Sequence, residues 1–426
     1  MSSFEIVIGL EIHAQLMTQS KIFCTAPNSY GQSENSLVGP VSGGLPGALP
    51  VLNDEAVLLA IRAGLALNCQ INSVSQFARK NYFYPDLPKG YQISQFDAPI
   101  CGEGHVDILL GNQDPKKIRI ERIHMEEDAG KSVHYASYSL INLNRSGVPL
   151  VEIVTKPDIR SATEAVSFLK KVHSSLVFAK VSDGNMEEGN FRCDVNLSVR
   201  EKGAEEFGTR TEMKNLNSFR FIEKAIAYES ARQIALVSSG GKVVQETRGW
   251  DAATGKSFSM RKKEEAHDYR YFPDPDLPPL KLTEELIDSV KEAMPELPEQ
   301  MKNRLMDSYG LNHLDAEQLT SEKALAEYFE KVVAENATAK LASNWILSEL
   351  MAEINKSDEH NIENCPLDAS HLANLISLIE SGKISGKIAK KIFPEVFASN
   401  RNPEEIVEEQ GLLQVSDDSE ISSWID

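Results

Sequence analysis

The sequence predicts an α+β protein with three parts. These are a mostly antiparallel, curved-sheet domain at residues 1–290, an all-α domain at residues 291–401, and the beginning of a small helical tail module at residues 402–426. Three observations predict this organisation. Short β-like runs separated by Gly, Pro and Asn fill residues 1–280. A proline-rich stretch at 273–279 is typical of a domain boundary. Beyond it, apolar residues recur at helical spacing.

Four apolar runs of the first domain carry acids or histidine at alternate positions: residues 7–13, 120–126, 148–154 and 193–198. Side chains two positions apart in a strand point to the same face. The same-face pairs are Glu11 with His13, His124 with Glu126, and Asp194 with Asn196. If these strands belong to one sheet, their oxygen and imidazole atoms converge on one floor.

Glu152 is the clearest member of this set, because aliphatic residues surround it in the run 148–154. A lone carboxylate there is costly to bury unless it is paired or metal-bound. An oxygen-rich floor with a histidine suits a hard divalent cation such as Mg²⁺. Mg²⁺ is usually held by few carboxylates together with substrate phosphates, which indicates phosphate chemistry. An antiparallel sheet with one solvated face gives the same alternation without a metal, and that alternative stays open.

Helices are expected at residues 53–67, 161–178 and 218–239 of the first domain. Asn53 and Ser161 are candidate N-caps, and Glu164 completes a capping box with Ser161. Beyond the proline-rich stretch at 273–279, the apolar spacing predicts helices at 283–294, 299–311, 321–335, 338–354, 369–381 and 385–398.

Composition favours an ordinary globular chain, with 41% apolar and 25% charged residues. The net charge is −19, but residues 281–426 hold 13 basic and 29 acidic residues and therefore carry most of it. The first domain is close to neutral and can hold local basic clusters, with candidates at 79–80, 116–119, 210 with 214, and 261–263. We expect no membrane span and no signal segment. The five cysteines are sparse and unpaired in spacing, which favours reduced thiols in the cytoplasm.

Two Gly-Lys-Ser triplets, at residues 130–132 and 255–257, do not make a P-loop. Met125 and Trp250 stand where a Walker A motif needs its first glycine. We expect residues 254–256 to form a hairpin turn. No Gly-x-Ser-x-Gly elbow is present, so acyl transfer by a serine nucleophile is not supported.

Five longer segments closely resemble the B subunit of the aspartyl/glutamyl-tRNA amidotransferase family. They lie at residues 7–13 (VIGLEIH), 80–95 (KNYFYPDLPKGYQISQ), 145–154 (RSGVPLVEIV), 192–200 (RCDVNLSVR) and 267–276 (HDYRYFPDPD). The resemblance covers essentially the whole chain, in order. It implies a cradle-like domain, a helical domain and a small C-terminal tail domain.

The resemblance also implies an activity and partners. Proteins of this family use ATP and Mg²⁺ to phosphorylate the side-chain carboxylate of mischarged Glu-tRNA(Gln) or Asp-tRNA(Asn). Ammonia released from glutamine by an amidase, the A subunit of the complex, then displaces the phosphate, and a small C subunit wraps around the other two. Such a protein is an ATP-dependent carbon–nitrogen ligase that is active only in its complex. A non-catalytic scaffold that grips tRNA is the alternative, and a stand-alone metal hydrolase is a third, less supported one.

The family's metal site carries over onto Glu11, His13, Glu126 and Glu152, with Asp194 as a further ligand. Arg192 is expected to contact nucleotide phosphate with Asp194 beside it, although a structural ion pair for Arg192 is an equal alternative. Lys80 is assigned near the reacting phosphate or the ammonia path, again against an ion pair as the alternative. His124 is interpreted as a core histidine, and Tyr82 and Tyr84 as core aromatics in preference to stacking on the terminal adenosine of tRNA.

Two departures from the family carry expectations. The four-cysteine zinc cluster of many relatives is reduced here to Cys24, so no zinc is expected. The chain ends at Asp426, where the family's basic tail module has only begun, so we expect a truncated tail at 402–426. The choice between Glu-tRNA(Gln) and Asp-tRNA(Asn) stays open.

Overall fold

The computed structural model describes residues 3–111, 114–262, 268–356 and 361–413. The chain divides into two compact units, Met1–Pro295 and Glu296–Asp426. The first unit contains the sheets and the second is helical, which confirms the α+β prediction. The domain limits set at residues 290 and 401 stay predictions, and most of the expected tail lies outside the described residues.

The strands of the first unit alternate with three long helices and end before a short fourth one. The strands are β1 (Phe4–Gln15), β2 (Val74–Ser75), β3 (Phe77–Asn81), β4 (Tyr91–Gln95), β5 (Gly104–Ile108), β6 (Lys116–Glu127), β7 (Lys131–His134), β8 (Ser139–Asn142), β9 (Pro149–Thr155), β10 (Phe191–Glu201), β11 (Thr211–Lys214), β12 (Glu246–Asp251), β13 (Lys256–Lys262), β14 (Phe272–Pro273) and β15 (Leu280–Lys281). The helices are α1 (Asp54–Ala66), α2 (Ala162–Phe178), α3 (Phe219–Ser238) and α4 (Glu284–Glu292).

The second unit is built from helices. They are α5 (Pro298–Tyr309), α6 (His313–Leu319), α7 (Lys323–Ala334), α8 (Ala339–Trp345), α9 (Met351–Ile354), α10 (Ala369–Glu380), α11 (Gly386–Ser399) and α12 (Pro403–Glu409), with a π-helical turn Ile346–Leu350 joining α8 to α9. The short helix α6 was not expected from the sequence. None of the described helices combines the length and apolar character needed to cross a bilayer.

Helix starts follow the capping chemistry that the sequence indicates. The Asn53 side chain accepts hydrogen bonds from the backbone N–H groups of Glu55 and Ala56. Ser161 accepts from the backbone of Glu164 at 3.1 Å. The Glu164 carboxylate accepts from the backbone N–H of Arg160 rather than that of Ser161, at 2.7 Å. The bonds to Asn53 and Ser161 satisfy N–H groups that the first helical turn leaves without partners.

The largest sheet among the described residues has eight strands in the order β13-β12-β11-β10-β1-β9-β6-β5. Each neighbouring pair is antiparallel except β11–β12. Along the central strand β1, Ile8, Leu10 and Ile12 are buried on one face. Helix α3 packs against β10 on the sheet and against α2. Glu11 and His13 therefore lie on the other face, where β1 carries its polar side chains.

A second sheet of three strands, in the order β14-β3-β4, lies beside the carboxyl end of β6. The Gln95 side chain on β4 accepts from the backbone N–H of Met125 on β6 at 3.0 Å. Glu127 at the end of β6 accepts from Lys89 and from the backbone N–H of Ile93, at 2.5 and 2.9 Å. These buried polar contacts fix β4 against the end of β6.

Arg79 on β3 holds the segment that follows the eight-stranded sheet. Its guanidinium donates to Asp274 at 3.0 Å and to Asp276 at 2.7 Å, and it lies 4.2 Å from the centre of the Tyr91 ring. The Asp274 side chain is fully buried, whereas that of Asp276 is 31% exposed. A charge-assisted hydrogen bond is worth more when it is buried, so Asp274 is the main anchor.

Replacing these two acids separately tests this difference. We expect Asp274→Asn to lower the free energy of unfolding by about 2–3 kcal/mol, because it weakens a buried charge-assisted bond. The matched control Asp276→Asn removes a partner from the same guanidinium at a more exposed position and should cost less than about 1 kcal/mol. Urea unfolding measures both values, and equal losses would contradict the assignment.

Candidate active site

A row of charged side chains crosses four strands of the large sheet on the face opposite the core. In the register of β6, β9, β1 and β10, His124 pairs with Glu152, Glu152 with His13, and His13 with Arg192. A register shift in β6 between Ile120 and Arg122 brings His124 into this row. The sheet register alone therefore places the Glu152 carboxylate between two imidazoles, that of His13 on one side and that of His124 on the other.

The two histidines share the carboxylates of Glu126 and Glu152. His13 Nε2 lies 3.5 Å from Glu126 Oε1 and 3.4 Å from Glu152 Oε2. His124 Nε2 lies 3.1 Å from Glu152 Oε2 and 3.7 Å from Glu126 Oε2. Ser94 on β4 donates to Glu126 at 3.3 Å. Each carboxylate therefore lies within ion-pair distance of both imidazoles.

The ionisation of this group follows from burial and from the opposite charges within it. Burial opposes a charged ring, but Glu152 and Glu126 raise the pKa of His124 to about 9. The pKa of His13 is raised as well, against the effect of burial, by Glu152 and Glu126. Burial favours a neutral acid, yet the two imidazoles hold the pKa of Glu152 well below its usual value. His124 therefore keeps its proton near neutral pH, and the imidazoles favour the anionic forms of Glu126 and Glu152.

A second cluster lies on the same face of the sheet and contains Glu11, two residues before His13 on β1, together with Asp194 and Glu212. Glu11 pairs with Asp194 across β1 and β10. Asn196 donates to Glu11 Oε1 at 2.9 Å, and Lys214 Nζ lies 2.5 Å from Asp194 Oδ2 and 3.0 Å from Glu212 Oε1. Burial first, and then the carboxylates of Glu152, Glu212 and Asp194, raise the pKa of Glu11. This cluster thus concentrates negative charge that an added cation would stabilise.

The five ligands predicted from the sequence therefore fall into two groups. His13, Glu126 and Glu152 each offer one ligand atom within 4.8 Å of the others, and Glu11, Asp194 and Glu212 do the same. His13 lies two residues beyond Glu11 on the same strand, roughly 6.6 Å further along it, and this offset separates the two groups. Both sets are rich in oxygen and partly buried, so their donor chemistry fits a hard divalent cation.

Lys80 and Arg192 lie at the border of the first group. Lys80 Nζ lies 4.9 Å from the centre of the Tyr269 ring, and the pKa of Lys80 is raised by Glu126 and Glu152 against the effect of burial. Arg192 donates to Asp128 Oδ2 at 2.8 Å. That ion pair supports the structural alternative for Arg192, and its contact with a nucleotide stays a prediction.

Two members of the site were missed or underrated by the sequence prediction. Glu212 lies on the four-residue strand β11 (TEMK), where alternation with Lys214 was the available signal. His124, interpreted as a core histidine, contacts the same two carboxylates as His13, and its buried Nδ1 has no hydrogen-bond partner among the described residues.

The loop that carries the remaining cysteine is closely packed. A Cβ atom placed on Gly39 would lie 2.5 Å from Cys24 Sγ and 3.2 Å from Ala26 Cβ. Three of the positions where the family resemblance implies zinc ligands, 24, 26 and 39, therefore lie together, and only Cys24 among them carries a thiol. The expected absence of zinc stays a prediction.

Binding of Mn²⁺ as a substitute for Mg²⁺ tests the division into two groups. We expect two Mn²⁺ ions per chain in the unsubstituted protein. Glu152→Gln and Glu212→Gln should each leave one, because each removes a charged ligand from a different group and weakens that group at least about tenfold. Electron paramagnetic resonance of free Mn²⁺ measures the stoichiometry. Glu103→Gln, at a 73% exposed side chain, is the control. Loss of both ions in either variant would indicate a single site.

Comparison with known proteins gives the family. The protein-family model described as GatB/GatE catalytic domain matches residues 6–288, and a second family model, described as GatB domain, matches residues 327–426. The B subunit of the aspartyl/glutamyl-tRNA(Asn/Gln) amidotransferase of Geobacter sulfurreducens is 54% identical over 429 residues, covering 100% of this chain and 89% of the relative. The proteins of the same name from Thermodesulfovibrio yellowstonii and Caldicellulosiruptor bescii are 52% and 53% identical over 98% and 97% of this chain, and over 88% and 87% of the relatives.

These matches extend across both units, and the charged rows of the sheet lie inside the region described as catalytic. The chain therefore belongs to the B-subunit family of the aspartyl/glutamyl-tRNA(Asn/Gln) amidotransferases.

Proposed function

We propose that this chain is the component of a tRNA-dependent amidotransferase that activates the amino acid on tRNA. It uses ATP to phosphorylate the side-chain carboxylate of Glu-tRNA(Gln) or Asp-tRNA(Asn), and ammonia then converts the product to the amide. The observation that carries the proposal is the pair of acidic groups on one face of the sheet, in a chain of this family. Their donor sets suit cations that accompany phosphate.

The chemistry requires an activated carboxylate. Ammonia cannot displace oxide from a carboxylate, so one oxygen must first be made a leaving group. Transfer of the γ-phosphoryl group of ATP to that oxygen breaks the bond to ADP and forms an acyl phosphate. Attack of ammonia at the carbonyl carbon then releases phosphate and a proton. Phosphoryl transfer depends mainly on positioning and on neutralisation of charge, so no covalent nucleophile of the protein is required.

Each charged residue has a defined part in this proposal. His13, as a neutral imidazole that has released its proton, would hold one Mg²⁺ together with Glu126 and Glu152, and Glu11, Asp194 and Glu212 would hold a second. Mg²⁺ supplies neutralisation of phosphate charge and orientation of the phosphate oxygens. His124 supports Glu152 by donating to it at 3.1 Å.

The remaining cations border the two acidic groups. Lys214, already between Asp194 and Glu212, would face nucleotide phosphates together with Arg192. Lys80 would lie beside the reacting carboxylate, where its charge favours the anionic groups that form there.

The proposal extends to partners and to location. An amidase partner would supply ammonia, and a small third subunit would complete the complex. ATP and Mg²⁺ are the expected cofactors, and no structural zinc is expected. The substrates are the mischarged tRNAs, so we expect the activity in the cytoplasm.

Phosphate release from ATP tests the catalytic role. In the complex reconstituted with the amidase and the small subunit, we expect release to require Mg²⁺ and Glu-tRNA(Gln). Glu152→Gln should lower the rate about 100-fold, because a loss of roughly 3 kcal/mol of transition-state stabilisation corresponds to that factor. Glu103→Gln, at an exposed position of the same unit, should leave the rate unchanged.

The alternative function gives the opposite pattern. A scaffold that only grips tRNA would release phosphate equally well with Glu152 or Gln at position 152, while its affinity for tRNA would fall. That result would remove the catalytic role from this face of the sheet.

A further inference from the structure

Four aromatic side chains form a chain of ring contacts beside Lys80, and we call them the aromatic wall: Tyr82, Phe96, Tyr269 and Tyr271. The rings of Phe96 and Tyr271 are stacked, 4.2 Å apart and 7° from parallel. Tyr271 contacts Tyr269 edge-to-face at 6.1 Å, and Tyr269 contacts Tyr82 in the same manner at 6.3 Å. Two separate parts of the sequence, residues 80–96 and the motif at 267–276, therefore supply one surface.

The backbone holds the second motif in place. Asn81 on β3 donates from its backbone to the carbonyl of Tyr269 at 2.9 Å, and from its side chain to the carbonyl of Arg270, also at 2.9 Å. Arg270 adopts a left-handed conformation, with φ of +45°, which is strained for a residue with a Cβ atom. Backbone strain of this kind persists only where surrounding contacts enforce it, and it is common at functional sites. The contacts that enforce it here also position Tyr269 and Tyr271.

The aromatic wall begins next to the first acidic group. Ser94 on β4 donates to Glu126 at 3.3 Å, and Phe96 follows Ser94 by two positions on the same segment. At the other end, Lys80 contacts the Tyr269 ring, and its charge faces Glu126 and Glu152. The wall therefore borders the place where the reacting carboxylate must lie.

The wall presents π surface to solvent. Phe96 is 51% exposed although it is a large apolar residue, and Tyr82, Tyr269 and Tyr271 are partly exposed. A pair of stacked rings that stays open at one side can accept a further flat ring. The neighbouring cation at Lys80 favours an occupant that combines flat rings with negative charge, which is the chemistry of a nucleotide.

We propose that the aromatic wall is a stacking surface for the unpaired nucleotides at the 3′ end of the aminoacyl-tRNA. This rests on the proposed function, because the amino acid to be phosphorylated is esterified to the ribose of the last nucleotide. The terminal base must therefore lie within one nucleotide of the acidic groups, where the wall stands. Phe96 and Tyr271 stack on the terminal base, and Lys80 stays beside the reacting carboxylate. Stacking is tolerant of sequence, which suits an end that different tRNAs share.

Fluorescence of 2-aminopurine in place of the 3′-terminal adenine tests the proposal, since stacking on an aromatic ring quenches it. The probe is Glu-tRNA(Gln) carrying this base, and the protein is the full complex with the amidase and the small subunit. We expect quenching on binding. Phe96→Leu and Tyr271→Leu should each abolish it and weaken binding about tenfold, whereas Tyr271→Phe should retain both. Tyr135→Leu, at a 51% exposed ring on the β7–β8 hairpin, is the matched control and should bind as the unsubstituted complex does.

Each other outcome overturns the proposal. Quenching that survives in both leucine variants would place the terminal base elsewhere. Leucine variants that no longer assemble with the two partner proteins in size-exclusion chromatography would make the wall an interface of the complex. The proposed function fails separately, if the unsubstituted complex binds and quenches the probe but releases no phosphate from ATP.

Discussion

The structure depends on one constraint: a carboxylate held between two imidazoles in the row that crosses β6, β9, β1 and β10. Glu152 contacts His124 at 3.1 Å and His13 at 3.4 Å in a partly buried setting. Charges in such a place are tolerated only when opposite charges surround them. A slip of one residue in any of these strands would turn its charged side chain into the core and its aliphatic side chains to the site. The register is therefore specified by the core and by the site together.

The smaller sheet extends this constraint to the border of the site. Glu127 at the end of β6 is fully buried and is paired with Lys89 and with the backbone of β4. Those contacts place Ser94 of β4 next to Glu126, and the pairing of β3 with β4 brings Lys80 to the same side of the site. Arg79 then holds the segment of Tyr269 and Tyr271 through two aspartates. The two acidic groups and the aromatic wall are thus neighbouring parts of one packed arrangement. Carboxylate groups of this kind bind cations, and exposed aromatic rings bind nucleotide bases.

The sequence contained the fold class and most of the candidate site, because both follow from periodicity. Alternation identifies Glu11, His13, Glu126 and Glu152, and helical spacing identifies nearly all of the helices. Register is different, since it depends on which strands become neighbours. The separation of Glu11 from His13 into two groups, and the inclusion of Glu212 from a strand of four residues, follow from pairings that no single segment encodes. The contact of His124 with Glu152 was not predicted for the same reason, because Glu152 is on another strand. The contact between Lys80 and the Tyr269 ring joins segments almost 190 positions apart, so it could be found only in the tertiary structure.

Transfer of ¹⁸O measures directly whether the side-chain carboxylate on tRNA is phosphorylated. Glu-tRNA(Gln) labelled with ¹⁸O in the side-chain carboxylate would be converted by the reconstituted complex with ATP and glutamine, and the released phosphate analysed by mass spectrometry. Phosphorylation of the carboxylate predicts one ¹⁸O atom in each phosphate, since the labelled oxygen leaves with phosphorus when ammonia attacks. Phosphate without ¹⁸O would mean that ATP is hydrolysed by water, and it would contradict phosphorylation of the carboxylate.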